Sequence, residues 1–160
     1  MQNPETLTLF RRLIEQEIAC SERLHDILVE ERQALSSHAP DPLLEAVSRK
    51  QAAIKALEQS VTAHEGFLAA RRLPPGKKGT EAFLNGLPDN APERTLWKRL
   101  QEIAARCREH NQSNGSMVAL GRVRTQRALD ILKGGDNSGR TYGRAGNTRN
   151  AAAQRFLATA

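Results

Sequence analysis

Aromatic residues are scarce in this chain: 160 residues hold four phenylalanines, one tryptophan and one tyrosine. β-Branched residues are also sparse, while alanine and leucine carry most of the apolar content, so an all-α fold is expected. Cysteine is nearly absent. Cys20 and Cys107 lie far apart among helical neighbours, which argues against a disulfide or a metal pair and for two reduced, partly buried thiols. No apolar run approaches the ~20 residues of a membrane span, and the start MQNPETLTLFRR lacks the basic-then-apolar order of a secretory signal. A cytoplasmic protein without stable membrane insertion is expected, and the sequon-like Asn111-Gln112-Ser113 then carries no glycan.

Proline and glycine are missing from the 35 residues between Pro4 and Pro40, where apolar residues recur at alternating steps of three and four. Phe10, Ile14, Leu24, Leu28 and Leu35 form a seam, with Glu17, Ser21 and Glu31 in the remaining heptad places. This spacing sustains lengthwise contact with a second long helix. At 1.5 Å per residue such a helix runs roughly 50 Å, and a rod of that length favours binding along a surface over chemistry in a deep pocket.

The seven prolines, at positions 4, 40, 42, 74, 75, 88 and 92, divide the chain into helical windows. Asp41-Pro42 has the order of an N-cap followed by proline at the first helical position, so a short turn folds helices one and two into an antiparallel hairpin. Helix two carries Val47, Ile54, Leu57, Val61 and Leu68, with Lys50 and His64 falling into the same seam. Counted from the turn, Glu31 and Lys50 lie at comparable heights, either as an ion pair that fixes hairpin register or as two side chains reaching to solvent. Residues 73–79 read as a loop and Thr80 to Leu87 as two helical turns. Pro92 begins a third long helix of roughly 40 residues whose seam includes Leu96, Leu100, Ile103, Cys107, Met117, Ala128 and Ile131. Trp97, Ala104, Val118 and Leu132 adjoin that seam, and the helix is expected to pack along the whole hairpin. Its middle, His110 to Ser116, is a poor helix former, but the heptad phase resumes at Met117, which predicts a continuous helix with a local irregularity.

The predicted architecture is an elongated antiparallel bundle of three long helices, about 5–38, 42–72 and 92–133, with short extra helices. Residues 134–160 read as a flexible basic tail rich in glycine, asparagine and arginine, ending in a short stretch that could present Phe156 and Leu157. The net charge of +6 divides accordingly: residues 1–133 hold 20 Lys+Arg against 17 Asp+Glu, and the tail holds four arginines against Asp136. A balanced body with a basic tail differs from a basic nucleic-acid-binding face.

Gly134 to Thr141 has the spacing of a phosphate-binding loop with arginine in place of lysine, but a helix precedes it and no strand does, so no nucleotide is expected there. His25, His38, His64 and His110 are dispersed, with no metal-ligand spacing among them. Glu30 and Glu31 diverge around their helix, and Glu17 lies two heptads from Glu31, so neither arrangement is a catalytic carboxylate pair. With no nucleophile beside a base, an enzyme is not expected, nor are a cofactor or metal. Tyr142, the single tyrosine, stands before Gly143 in a segment with almost nothing else apolar. It reads as an anchor for a partner or as a ring packed back on the bundle.

In order and spacing these elements resemble the FlgN family of flagellar export chaperones across most of the chain. The resemblance is carried by Leu24 to Leu28 followed by Glu31 and Leu35, and by Lys50 with Ile54 and Leu57. Trp97, Asn111, Asn114-Gly115 and Tyr142-Gly143 with Gly146 complete it. It implies a non-enzymatic cytoplasmic chaperone for hook-filament junction proteins. The client site would map to Val118, Val123, Leu129, Ile131, Leu132, Phe156 and Leu157. Tyr142 and Gly143 would dock on the cytoplasmic domain of the export gate, with the export ATPase complex a further candidate partner. Two other classes stay open on the residues alone: a self-assembling coiled-coil scaffold, and a nucleic-acid-binding module using the basic tail.

Overall fold

The computed structural model describes residues 3–133, which form four helices and no strand: α1 (Pro4–Ser36), α2 (Pro40–Ala69), α3 (Gly76–Asn85) and α4 (Pro92–Leu132). Asn3 caps α1, its side-chain oxygen accepting from the Glu5 amide at 3.1 Å, and Pro4 presets φ at the first helical position. The helix ends at Ser36, and His38 beyond it takes a left-handed φ of 53° so that the Ala39 amide reaches back to the Ala34 carbonyl at 3.1 Å. α2 begins at Pro40, two residues ahead of the expected start. Both prolines fit in its first turn because those amides have no intrahelical acceptor to lose. Arg72 (φ 56°) ends the descent in the same way, with the Leu73 amide on the Leu68 carbonyl at 3.1 Å.

The long helices run up, down and up. Arg11 stands beside Glu93, Ser21 beside Cys107 and Leu28 beside Asn114, so α4 is parallel to α1 and both oppose α2. α1 is the central member, packed extensively on both others. Its buried face combines the expected Phe10, Ile14, Leu24 and Leu28 with Glu17, Ser21 and Glu31, and adds Ile18, Ile27 and Ala34. α2 buries His64 and Leu68 of the expected seam, but over its earlier turns the contact line lies one residue before the expected one. It buries Ala46, Ala53 and Ser60, with Phe67 beside Leu68, while Val47, Ile54 and Leu57 flank the core half-buried and Val61 is exposed. Small residues on the contact line let the helix axes approach closely, and the larger aliphatic side chains then close the sides of the seam.

α3 starts at Gly76, so residues 76–79 are helical rather than part of a loop. Gly76 turns the chain with a φ of 69°, and the absent side chain of Gly79 leaves room for the Pro74 carbonyl, which a Cβ there would meet at 1.7 Å. This short helix brings Phe83 against Phe10 and Phe67, with ring centroids 4.6 and 5.2 Å apart, and plugs the lower end of the bundle.

α4 is unbroken through residues 110–116. The expected irregularity is missing because the Asn114 side chain does not compete for its own backbone: its Nδ2 donates to the Leu28 carbonyl of α1 at 2.9 Å. The expectation that this helix packs along the whole hairpin is corrected. Leu100, Ile103, Cys107 and Asn114 are buried, but from Gly115 to Leu132 only Met117 is even half-buried. Ser36 ends α1 at about the level of residue 122, leaving the last turns of α4 without a neighbour along α1.

Candidate functional site

Two kinds of site emerge from this arrangement: polar layers inside the bundle and an uncovered half-helix outside it. In the upper layer one carboxylate joins three helices. Glu31, 4 % exposed, accepts from Lys50 Nζ of α2 at 2.7 Å on one oxygen and from Asn114 Nδ2 of α4 at 2.8 Å on the other. Arg32 to Ser113 and Arg49 to Glu30 add exposed contacts at the same level. In the lower layer His64 Nδ1 lies 2.7 Å from Glu17 Oε1, and His64 Nε2 is 3.4 Å from the Thr80 hydroxyl. Below that, Arg11 Nε meets the buried Glu93 at 2.6 Å.

The Glu17, His64 and Thr80 trio has the order of an acid, a base and a hydroxyl, which sequence spacing did not reveal because each residue comes from a different helix. Thr80 has no exposed surface and its hydroxyl donates to the Gly76 carbonyl at 3.1 Å. The trio therefore ties α3 to the hairpin and offers no hydroxyl to a substrate in this conformation. His25 and His110, distant in sequence, meet edge to face at 4.9 Å between α1 and α4. No group of three or more metal-ligating side chains converges among the described residues. The Cys107 thiol donates to the Ser21 carbonyl at 3.3 Å, and burial, with the Asp26 carboxylate nearby, pushes its pKa up to about 11.

Among the described residues, exposed large apolar side chains are concentrated on the upper half of α4, with Leu9, Leu44 and Val61 isolated elsewhere. Val118, Val123 and Leu129 are 42, 48 and 43 % exposed, and Ile131 and Leu132 reach 76 and 80 %. At the helical period Val118, Leu129 and Leu132 share one face with Gly121, Thr125 and Ala128, Ile131 borders it, and Val123 lies on the far side. Leu120, at 58 %, belongs to the Ile131 edge and was absent from the sequence-based set. Phe156, Leu157, Tyr142 and Gly143 lie outside the described residues. No helix among the described residues is long and apolar enough to cross a membrane.

No curated protein matches this chain. Among solved structures, the chain is similar to a crystal structure described as a flagella synthesis protein FlgN from Pseudomonas aeruginosa. The two are 24 % identical with a TM-score of 0.59, over 82 % of this chain and 98 % of that one, a likeness that concerns the fold. The family model described as FlgN protein matches residues 1–150. That match, over most of a chain built as three long helices with the third only half covered, establishes that the chain belongs to the FlgN family, a family of flagellar-synthesis chaperones.

Proposed function

We propose that the chain is a cytoplasmic, non-enzymatic export chaperone. It binds the C-terminal helical segments of hook-filament junction proteins, holds them back from premature assembly and delivers them to the cytoplasmic domain of the type III export gate. The observation that carries this reading is the upper half of α4, a long helix anchored through its first half while Val118, Leu129, Ile131 and Leu132 stand uncovered. A client end that aggregates when bare is amphipathic and helical, and it buries its apolar face against such an arm. In the same reading Val123, Phe156 and Leu157 extend the client surface, and Tyr142 with Gly143 forms the gate anchor. The export ATPase complex is a further partner. Neither nucleic acid nor a cofactor takes part.

Calorimetric titration tests this with the full chain, and with the chain cut after Lys133, against the C-terminal segment of each hook-filament junction protein. Saturable binding that the truncation weakens is expected. Absence of binding by both forms would overturn the reading in favour of a self-assembling coiled-coil scaffold, which concentration-dependent mass would then reveal. Tyr142→Ala is expected to impair gate docking and spare client binding; equal loss of both refutes separate roles.

A further inference from the structure

Charges stand in the helical seams of this bundle, and across each seam a partner answers them: Glu17 faces His64, Glu31 faces Lys50 and Asn114, and Glu93 faces Arg11. One seam charge is left over. Counted in sevens from the buried Ile103, the same stripe of α4 passes through His110, Met117, Arg124 and Ile131. Arg124 is exposed, stands roughly 15 Å beyond the Asn114 layer, and makes no ion pair among the described residues. The neighbouring stripe, counted from Leu100 through Cys107 and Asn114, continues as Gly121 and Ala128. A cation therefore stands between the apolar Met117 and Ile131 of its stripe, beside two shallow places where a neighbouring helix would find little side-chain volume.

We propose that the helix docking on this arm carries a carboxylate within its own apolar seam, level with Arg124. Bulky aliphatic side chains on either side of that carboxylate fill the space over Gly121 and Ala128. The inference rests on the reading above that a client helix occupies the arm, and it adds the chemistry by which that helix is chosen. Covering a guanidinium with apolar side chains strips its water without return, so a segment lacking the carboxylate is rejected as well as less attracted. Charge complementarity favours an acidic helix over a basic one, since residues 115–133 hold Arg122, Arg124, Arg127 and Lys133 against Asp130 alone. A lipid surface is the poorer fit: the arm has no aromatic side chain, and Arg124 interrupts its apolar stripe.

Fluorescence anisotropy on the full chain tests the proposal with two synthetic amphipathic helices about three heptads long. They share a leucine seam and differ only in one central seam residue, Glu in one and Lys in the other. The Glu peptide is expected to bind at least ~10-fold more tightly, and Arg124→Glu is expected to invert the preference. Because Arg124 is exposed, the variant is expected to keep its fold, and unchanged helix content by far-ultraviolet circular dichroism together with unchanged thermal unfolding certifies it, arm included. Equal affinity for the two peptides, a preference that survives Arg124→Glu, or binding of neither peptide overturns the proposal. So does tighter binding to phosphatidylglycerol vesicles than to either peptide. Hook-filament junction segments titrated in parallel separate the two failures. If they bind wild type and Arg124→Glu alike, the client reading stands and the carboxylate rule falls; if they do not bind while the designed pair inverts, only the client identity falls.

Discussion

Glu31 joins α1 to α2 through Lys50 and to α4 through Asn114, so its two oxygens sit in separate interfaces. Removing the cation leaves a carboxylate that is 4 % exposed with the amide as its remaining side-chain partner. Lys50→Met is therefore expected to lower stability by about 2–4 kcal/mol, and Glu31→Leu with Lys50→Met to recover most of that loss. Urea unfolding of the cycle measures the coupling; a value near zero removes any role of the pair in setting register. Cys107 gives a pH effect of known sign. The folded chain keeps a thiol proton to about pH 11 that an ordinary thiol releases near 9.0. This contribution is intact below pH 9 and is lost as pH rises towards 11, so the decline of wild-type stability in that window should exceed that of Cys107→Ala. The heights of Glu31 and Lys50 were readable by counting from the turn. Asn114 was not, because an asparagine beside a glycine reads as a helix breaker until an acceptor on another helix is known.

Each long helix of the hairpin ends on a non-glycine residue in the left-handed region, His38 after α1 and Arg72 after α2. That conformation costs a side-chain-bearing residue about 1 kcal/mol, part of which a glycine returns through its looser unfolded state. His38→Gly is accordingly expected to raise stability by about 0.5 kcal/mol, seen as a higher thermal midpoint with the helix content unchanged. Helix type and count were legible from period and punctuation, since prolines at 40 and 92 stand where α2 and α4 begin. The face of α2 was less so. Val47, Ile54 and Val61 look like a seam by hydropathy, but the contact line one residue earlier is set by how closely two axes can approach, which depends on Ala46, Ala53 and Ser60 being small. The start of α3 was hidden for a related reason: Pro-Pro-Gly reads as a loop, while Gly79 is needed for its contact with the Pro74 carbonyl.

At the scale of the whole molecule, α4 continues for roughly 27 Å past Asn114 with almost no burial. Amide exchange is expected to be far faster across residues 118–132 than across the buried stretch from Leu100 to Cys107, because little but local helix propensity holds that half in place. Replacing Ile131 and Leu132 by serine should leave the thermal midpoint within about 1 °C, while weakening client binding in the titration described above; a fall of several degrees would mean that the arm packs somewhere on the body. The extent of α4 was legible from the sequence, but its loss of cover was not, because the heptad phase persists through Gly121 and Arg124 although the packing does not. The plug of Phe10, Phe67 and Phe83 lies at the foot and the uncovered stripe at the head, with the Glu31 layer between them. Substitutions on the uncovered head leave untouched the contacts that keep the foot folded, so on the proposed chaperone reading the surface offered to a client can drift gradually without passing through an unstable ancestor.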